Sequence, residues 1–379
     1  MRLAYLDGLR ALAASYVVVF HAVLGFEGEA LSGAWRLLRR ACAFGHESVA
    51  VFIVLSGYCL MLPVVRNEPD TLTVDLQSFL RRRAWRILPP YYAALALSLL
   101  LLAALPVLRA PSGTLWDDSL PGLDAGAIGS HLLLFHNWVP AWATQINGPL
   151  WSVASEWQIY FFFPLLLLPV WRRWGMGAAL SIAAALGYAP LLFAKGPAMV
   201  AIPWYLLLFG LGMAAASIGF APVGLPARLR ASAPWRLVSA GLWLGCAAFG
   251  LLFGRVWFAH KPLTDFLVGL AMAALLVSLG LRAQARAPNE QGWFLQLLQS
   301  RPLLALGHFS YSLYLTHLPV LALCYFALAP LNLAPAVLSL SLLGLGSLAS
   351  LLVAYGFYLA VERHFIVAGS PAKAKATSS

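Results

Sequence analysis

Apolar residues fall along this chain in long blocks, and most polar residues collect in the short stretches between them. Blocks of about 18 or more apolar residues are the length of a helix that crosses a bilayer, so the pattern predicts an all-α, polytopic membrane protein. The blocks lie at 9–26, 48–65, 90–108, 150–170, 175–193, 201–220, 237–258, 262–281, 303–329 and 335–361, which predicts about ten transmembrane helices. The longest stretch between blocks, 109–149, holds an apolar piece at 128–138 that is expected as a re-entrant or interfacial helix. No internal repeat is visible. The blocks form one membrane domain over 1–365, followed by a small, polar tail at 366–379. The first block is too long for a signal peptide and lacks a small-residue cleavage site, so it is expected to stay as a span.

Within the first block, Arg10 and His21 stand out against an almost wholly apolar background. In a helix, eleven residues at about 100° each return to nearly the same face, with a rise of about 16 Å. An arginine at one end of a buried helix and an imidazole deep within it read as a phosphate clamp at a membrane surface and a base in the interior.

Composition agrees with the pattern. Hydrophobic residues make up 61% of the 379 and the mean hydropathy is +0.80. Charged residues make up only 10%, against about 25% in soluble domains. The net charge of +11 comes from arginines in short loops and not from one soluble face, which argues against a nucleic-acid partner. Cys42, Cys59, Cys246 and Cys324 have no metal-binding spacing, so packing is their expected role and no metal is expected. With the N-terminus inside, 18 of the 25 lysines and arginines fall on the cytoplasmic side, and Asp117, Asp118 and Asp124 fall outside. One loop disagrees, that of Arg36, Arg39 and Arg40. Both termini are therefore expected in the cytoplasm, with the protein multi-pass in the cell membrane.

Ionisable residues inside spans are costly and usually functional. Here they are His21, Glu156, Asp265 and His317. From helix rise, His21 lies roughly 18 Å, Glu156 about 20 Å and His317 roughly 21 Å above the inner surface. Three helices thus place titratable groups at one level, which predicts a shared site. Asp265, near the end of its span, is expected to cap or to pair with Lys261. Ser310, Tyr314 and His317 fall at i, i+4 and i+7 on one helical face, with Tyr311 pointing elsewhere. Glu156 and Tyr160 are likewise i, i+4. Ser56-Gly57-Tyr58 interrupts an apolar span and has two readings: small-residue helix packing, or a ligand passing close to the backbone. The run from Arg81 to Arg86, stopped by Pro89, also has two readings. It is a topology signal with lipid contact, or its arginine forks bind phosphate.

Taken together, these pieces resemble the acyltransferase-3 family of integral membrane acyltransferases, which includes polysaccharide O-acetylases. The matching pieces run in family order along nearly the whole chain. They are Tyr5-Leu6-Asp7-Gly8-Leu9-Arg10-Ala11 with His21, then Val51-Phe52-Ile53-Val54-Leu55-Ser56-Gly57-Tyr58, then Arg82-Arg83-Ala84-Trp85-Arg86-Ile87-Leu88-Pro89. His136-Asn137-Trp138, Leu150-Trp151-Ser152-Val153-Ala154-Ser155-Glu156-Trp157-Gln158-Ile159-Tyr160 and the stretch from Leu306 to His317 follow. Trp157 stands where the family commonly has a second acidic residue, so Glu156 is expected to act without it. The hydrolase-like extracytoplasmic domain of some members is not expected.

The resemblance implies an acyl-coenzyme A donor, usually acetyl, with no permanently bound cofactor, and a hydroxyl acceptor on a carbohydrate or other small molecule. It implies coenzyme A phosphates at Arg10 and at Arg82, Arg83 and Arg86, with the pantetheine arm rising past Ser56 and Gly57. His21 would deprotonate the acceptor hydroxyl or itself accept the acyl group. Glu156 would orient His21 or bind the acceptor, which Tyr160, Ser310, Tyr314 and His317 would help to position. Two other classes remain open at this point. One is a multi-span transporter of a polar solute through Arg10, His21 and Glu156. The other is a membrane scaffold without chemistry, whose marker is tolerance of His21→Ala.

Overall fold

The computed structural model describes residues 3–24, 34–66, 75–112, 114, 116–117, 120, 123–284 and 292–366. Asp118, the end of the first predicted span at 25–26 and nearly all of the tail at 366–379 lie outside the described residues. The described chain is helical, with no strand among those residues. Its main helices are α1 (Tyr5–Leu24), α2 (Ala34–Cys42), α3 (Gly45–Val65), α4 (Leu76–Ala104), α5 (Ala125–Leu132), α6 (Leu150–Phe162) and α7 (Leu168–Tyr188). They continue with α8 (Tyr205–Phe220), α9 (Trp235–Leu252), α10 (Lys261–Ala283), α11 (Arg301–His308), α12 (Ser310–Leu328) and α13 (Ser347–Phe357).

Nine helical runs among the described residues are long and apolar enough to cross a membrane. One of them, Leu150–Phe193, is 44 residues long. At about 1.5 Å per residue it is far longer than a hydrocarbon core of about 30 Å. Gly175 breaks it, with φ 84° and ψ −177°, a conformation that side chains disfavour. The break falls between the predicted spans 150–170 and 175–193, so this one run supplies two of the ten predicted crossings.

Two boundaries differ from expectation. The third span begins at Leu76, and Pro89 and Pro90 lie inside α4. Pro89 therefore does not stop the basic run, and the arginines from 81 to 86 ride on the helix. The two prolines remove the amide donors to the Trp85 and Arg86 carbonyls, and the Tyr311 hydroxyl ties the same turn to its neighbour by donating to the Ile87 carbonyl at 3.1 Å. The predicted span 303–329 is also divided, by non-helical backbone at Phe309 between α11 and α12.

The centre of the bundle is α3 against α8. Every residue of α8 except Phe220 is buried, as expected of a helix apolar on all sides. The two backbones meet through glycines. A Cβ on Gly57 would lie 2.0 Å from the Phe209 carbonyl oxygen, and one on Gly212 would lie 2.0 Å from that of Val54. Gly57 therefore serves helix packing: on the side a Cβ would occupy, the space is filled by α8.

The stretch before α6 is folded into the bundle. Asp124 caps α5, accepting from the Ala127 amide at 2.8 Å, and Tyr91 of α4 donates to the His131 carbonyl at 2.9 Å. Asn147 donates to Ser98 at 3.2 Å and to the Leu315 carbonyl of α12 at 2.9 Å. Leu134 and Ile146 take positive φ (51° and 67°), strain that persists only where surrounding contacts hold it. His131 and His136 stack within this stretch, ring centres 3.8 Å apart and 8° from parallel, both fully buried. Burial first, and then the neighbouring His131, pushes His136 down to about 3. Burial likewise pushes His131 down.

Two outcomes are expected. Gly57→Leu forces α3 and α8 apart and should cost about 1–3 kcal/mol or more; a wild-type melting midpoint would show that the helices separate freely. The histidine pair should make the fold acid-sensitive. The unfolded imidazoles take up protons below about pH 6.5, before the folded ones do. Their contribution is complete above that pH and is lost as pH falls toward about 3. The midpoint should therefore drop between about pH 7 and pH 5, and drop less in a His136→Gln variant, when melting curves are compared.

Candidate active site

His21 and His317 face each other across α1 and α12. The His317 Nδ1 lies 2.8 Å from the Tyr314 carbonyl and 3.1 Å from that of Leu313. Both are acceptors, so Nδ1 carries the proton and Nε2 of the neutral ring is bare. That Nε2 lies 3.1 Å from His21 Nδ1, which also faces the Val17 carbonyl at 2.9 Å. His21 Nδ1 therefore donates, and the lone pair of neutral His21 is fixed on its Nε2. No hydrogen bond holds that Nε2 among the described residues. Two imidazoles thus leave one ring nitrogen basic and aimed away from the pair.

Tyr314 stands beside this pair, its ring centre 5.9 Å from that of His317. Its hydroxyl shares a 2.7 Å hydrogen bond with Ser152 of α6. Ser310 does not join them. Its hydroxyl donates to the Gly307 carbonyl at 2.9 Å, which ties the corner between α11 and α12. Ser310 shares the helical face of His317 but lies about 10 Å from it along the axis. Glu362 went unrecognised in the sequence because it falls just past the last predicted span. It accepts from the Ser312 amide at 3.0 Å and from the Ser312 hydroxyl, fixing the start of α12.

Glu156 lies elsewhere. It accepts from the Ser56 hydroxyl at 2.6 Å and from the Tyr160 hydroxyl, and Ser56 and Tyr160 are 2.8 Å apart. Arg10 and Arg83 are near enough to attract it. Arg83 is half-buried over the rings of Phe79 and Tyr160, at 5.9 and 6.0 Å, whereas Arg82 and Arg86 are exposed. Arg10 donates to Asp7 and to the Cys59 sulfur, each at 3.1 Å. The expected level of Glu156, beside His21 and His317, is thus corrected. Counting depth by helix rise assumes that α6 starts at the membrane surface. Asn147, bonded to the Leu315 carbonyl in the second turn of α12, shows that α6 starts inside the bundle, and Glu156 lies about 13 Å further along. Two polar clusters result: His21, His317, Tyr314 and Ser152 at one level, and Arg10, Arg83, Ser56, Glu156 and Tyr160 nearer the other end.

A third cluster corrects the reading of Asp265. It is fully buried and holds Trp204 Nε1 at 2.9 Å and His46 Nε2 at 3.2 Å, in place of Lys261. His46 stacks on Trp151, ring centres 5.8 Å apart. Next to His46, Glu47 accepts from Trp257 Nε1 at 2.5 Å. The sequence concealed His46 and Glu47 because they precede the predicted span at 48. α3 begins three residues earlier, at Gly45.

A family model described as an acyltransferase domain matches residues 3–359. Acyltransferase MdmB of Streptomyces mycarofaciens is 27% identical over 337 residues, which cover 85% of this chain and 79% of that protein. A Staphylococcus aureus (strain COL) protein named "Putative O-acetyltransferase" is 27% identical over 179 residues, 45% of this chain and 26% of that protein. Protein 2 in picA locus of Rhizobium radiobacter is 29% identical over 180 residues, 47% of this chain and 85% of that protein. No solved structure matches.

The tautomer assignment carries its own test. With His317→Ala, His21 Nδ1 loses one of its two acceptors, worth about 1 kcal/mol or about fivefold in tautomer ratio. Nitrogen NMR of labelled histidine in bilayers should show His21 shifting toward a mixture, with the Nδ1–H form restored in part by His317→Gln. An unchanged His21 signal in His317→Ala would show that the two rings do not interact.

Proposed function

The chain belongs to the acyltransferase-3 family, and on that premise we propose that it moves an acyl group, acetyl in the simplest case, from cytoplasmic acyl-coenzyme A to a hydroxyl on the far side of the cell membrane. Family membership makes the multi-pass chain an acyltransferase, which sets aside the solute-transporter and scaffold readings. The name of the staphylococcal relative supports oxygen as the acceptor atom and acetyl as the group. The observation that carries the mechanism is the bare Nε2 of His21, about 16 Å up one helical stripe from Arg10.

The donor side is assigned to the arginine cluster. Arg10 and Arg83 would meet the coenzyme A phosphates, with the exposed Arg82 and Arg86 at the approach. Ser56, Glu156 and Tyr160 would line the passage of the pantetheine arm, which moves Glu156 from orienting His21 to the donor side. His317 would hold the tautomer of His21, and Tyr314 would stand beside the acceptor, a carbohydrate or other small hydroxylated molecule. His21 Nε2 then takes the hydroxyl proton as the oxygen attacks the thioester carbonyl. The carbon–sulfur bond breaks, and the proton leaves with the coenzyme A thiol. The arginine-rich loops orient Arg10 toward the cytoplasm, with both termini on that side.

His21→Ala should insert and fold, because a small apolar residue is easily housed in a bundle, yet transfer should fall by about 10²–10⁴-fold. Purified protein given labelled acyl-coenzyme A without acceptor should release no burst of coenzyme A and carry no label. A burst with acyl label on His21 would replace direct transfer by a covalent route. Undiminished transfer in His21→Ala would overturn the assignment altogether.

A further inference from the structure

A large cavity among the described residues lies apart from the arginine and histidine clusters and touches the third only at Glu47 and Trp257. It has a volume of about 1160 Å³ and lies where α9 packs along α10 but stands off α1 and α3. Its walls are apolar, with Leu12, Val51, Trp243, Met272 and Leu275 among them. On α10 the lining runs from Val268 to Arg282, about 21 Å along the axis and more than half of a hydrocarbon core of about 30 Å. The α1 residues that line it are Leu9, Leu12, Ala13 and Tyr16. At about 100° per residue these form a stripe roughly a third of a turn from that of Arg10 and His21, neither of which reaches the cavity. The body of α1 therefore separates this volume from the reaction path.

The two ends of the cavity differ in charge. Arg236 and Arg282 line one end, and Glu47 lines the other. Exposed Trp293 stands beside the arginines, as tryptophans do at the level of lipid headgroups. The cavity is larger than the clefts of about 300–1,000 Å³ that hold compact ligands, and its walls offer hydrocarbon contact with almost no hydrogen bonding. A phosphate would be attracted to the arginine end. We propose that the cavity holds a resident anionic glycerophospholipid. Its phosphate meets Arg236 and Arg282, and its acyl chains fill the space between α1 and α9. The site is independent of the acyl-transfer reading, since it shares no residue with the donor or histidine clusters.

Full-length protein is placed in nanodiscs of phosphatidylcholine with a minor share of phosphatidylglycerol, released gently and examined by native mass spectrometry. The wild type should retain about one phosphatidylglycerol per chain. Arg236→Gln with Arg282→Gln should retain at least about tenfold less, from lost charge-assisted hydrogen bonds. Arg236→Gln alone should fall part of the way. Ala247→Trp, which fills the apolar middle, should also lose the lipid while leaving the arginines in place. Equal retention by wild type and variants, or equal retention of phosphatidylcholine, would overturn the proposal. So would displacement of the lipid by excess acetyl-coenzyme A, which would make the cavity the donor chamber. A lipid-free dimer would likewise overturn it, with a second copy covering the opening.

Discussion

A polar group within hydrocarbon must find a polar partner, because no water is there to supply one. That constraint sets how the helices of this protein meet. His21 and His317 bind α1 to α12. Ser56 with Glu156 and Tyr160 binds α3 to α6. His46 with Asp265 binds α3 to α10, and Trp204 adds the stretch before α8. The apolar surfaces between these points would allow helices to slide; the polar pairs fix one register each. The α3 helix takes part in two of the three sets and also meets the α8 backbone through Gly57 and Gly212. It is therefore the member against which the others are placed.

Much of this was legible in the sequence, and the errors share a cause. Apolar blocks located the spans, and the break at Gly175 even separates two that form one helical run. The stripe joining Arg10 and His21 follows from helix periodicity and lies wholly within α1. Depth was less legible, because counting residues from a span's end assumes that the end lies at the surface. For α6 it does not: the preceding stretch is drawn inward by Asn147, and no local pattern announces a bond to a carbonyl 168 residues away. The same limit hid the partners of Asp265, since the Lys261 neighbour was visible and Trp204 and His46 were not. Gly57 was ambiguous for a different reason. A missing side chain signals close approach but does not say whether a ligand or another helix approaches.

The tryptophan at position 157 leaves Glu156 as the only acid of its helix turn. Trp157 is half-buried and packs edge-on against Phe161, ring centres 5.3 Å apart. A second carboxylate beside Glu156 would have repelled it and demanded further cations. With one carboxylate on this turn, two hydroxyl donors, Ser56 and Tyr160, hold it, and Arg10 and Arg83 supply the opposing charge. Asp7, paired with Arg10 at 3.1 Å, is the second carboxylate of this cluster, so its two arginines face two acids.

The α1 helix bears on all of these features at once, which explains how firmly its first turns are held. A Cβ on Gly8 would lie 2.1 Å from the Leu298 carbonyl oxygen, and one on Gly307 would lie 2.3 Å from that of Asp7. Backbone thus meets backbone on both sides of the Arg10 end, while the other end leans on the bond between His21 and His317. One stripe of the helix faces the polar clusters and another lines the cavity. A helix held at both ends acts as a rod, so the distance from Arg10 to His21 is set by helix rise and not by loop motion. Any ligand that engages both residues must match that length. Filling the cavity, a third of a turn away, would support the rod without touching the stripe of Arg10 and His21.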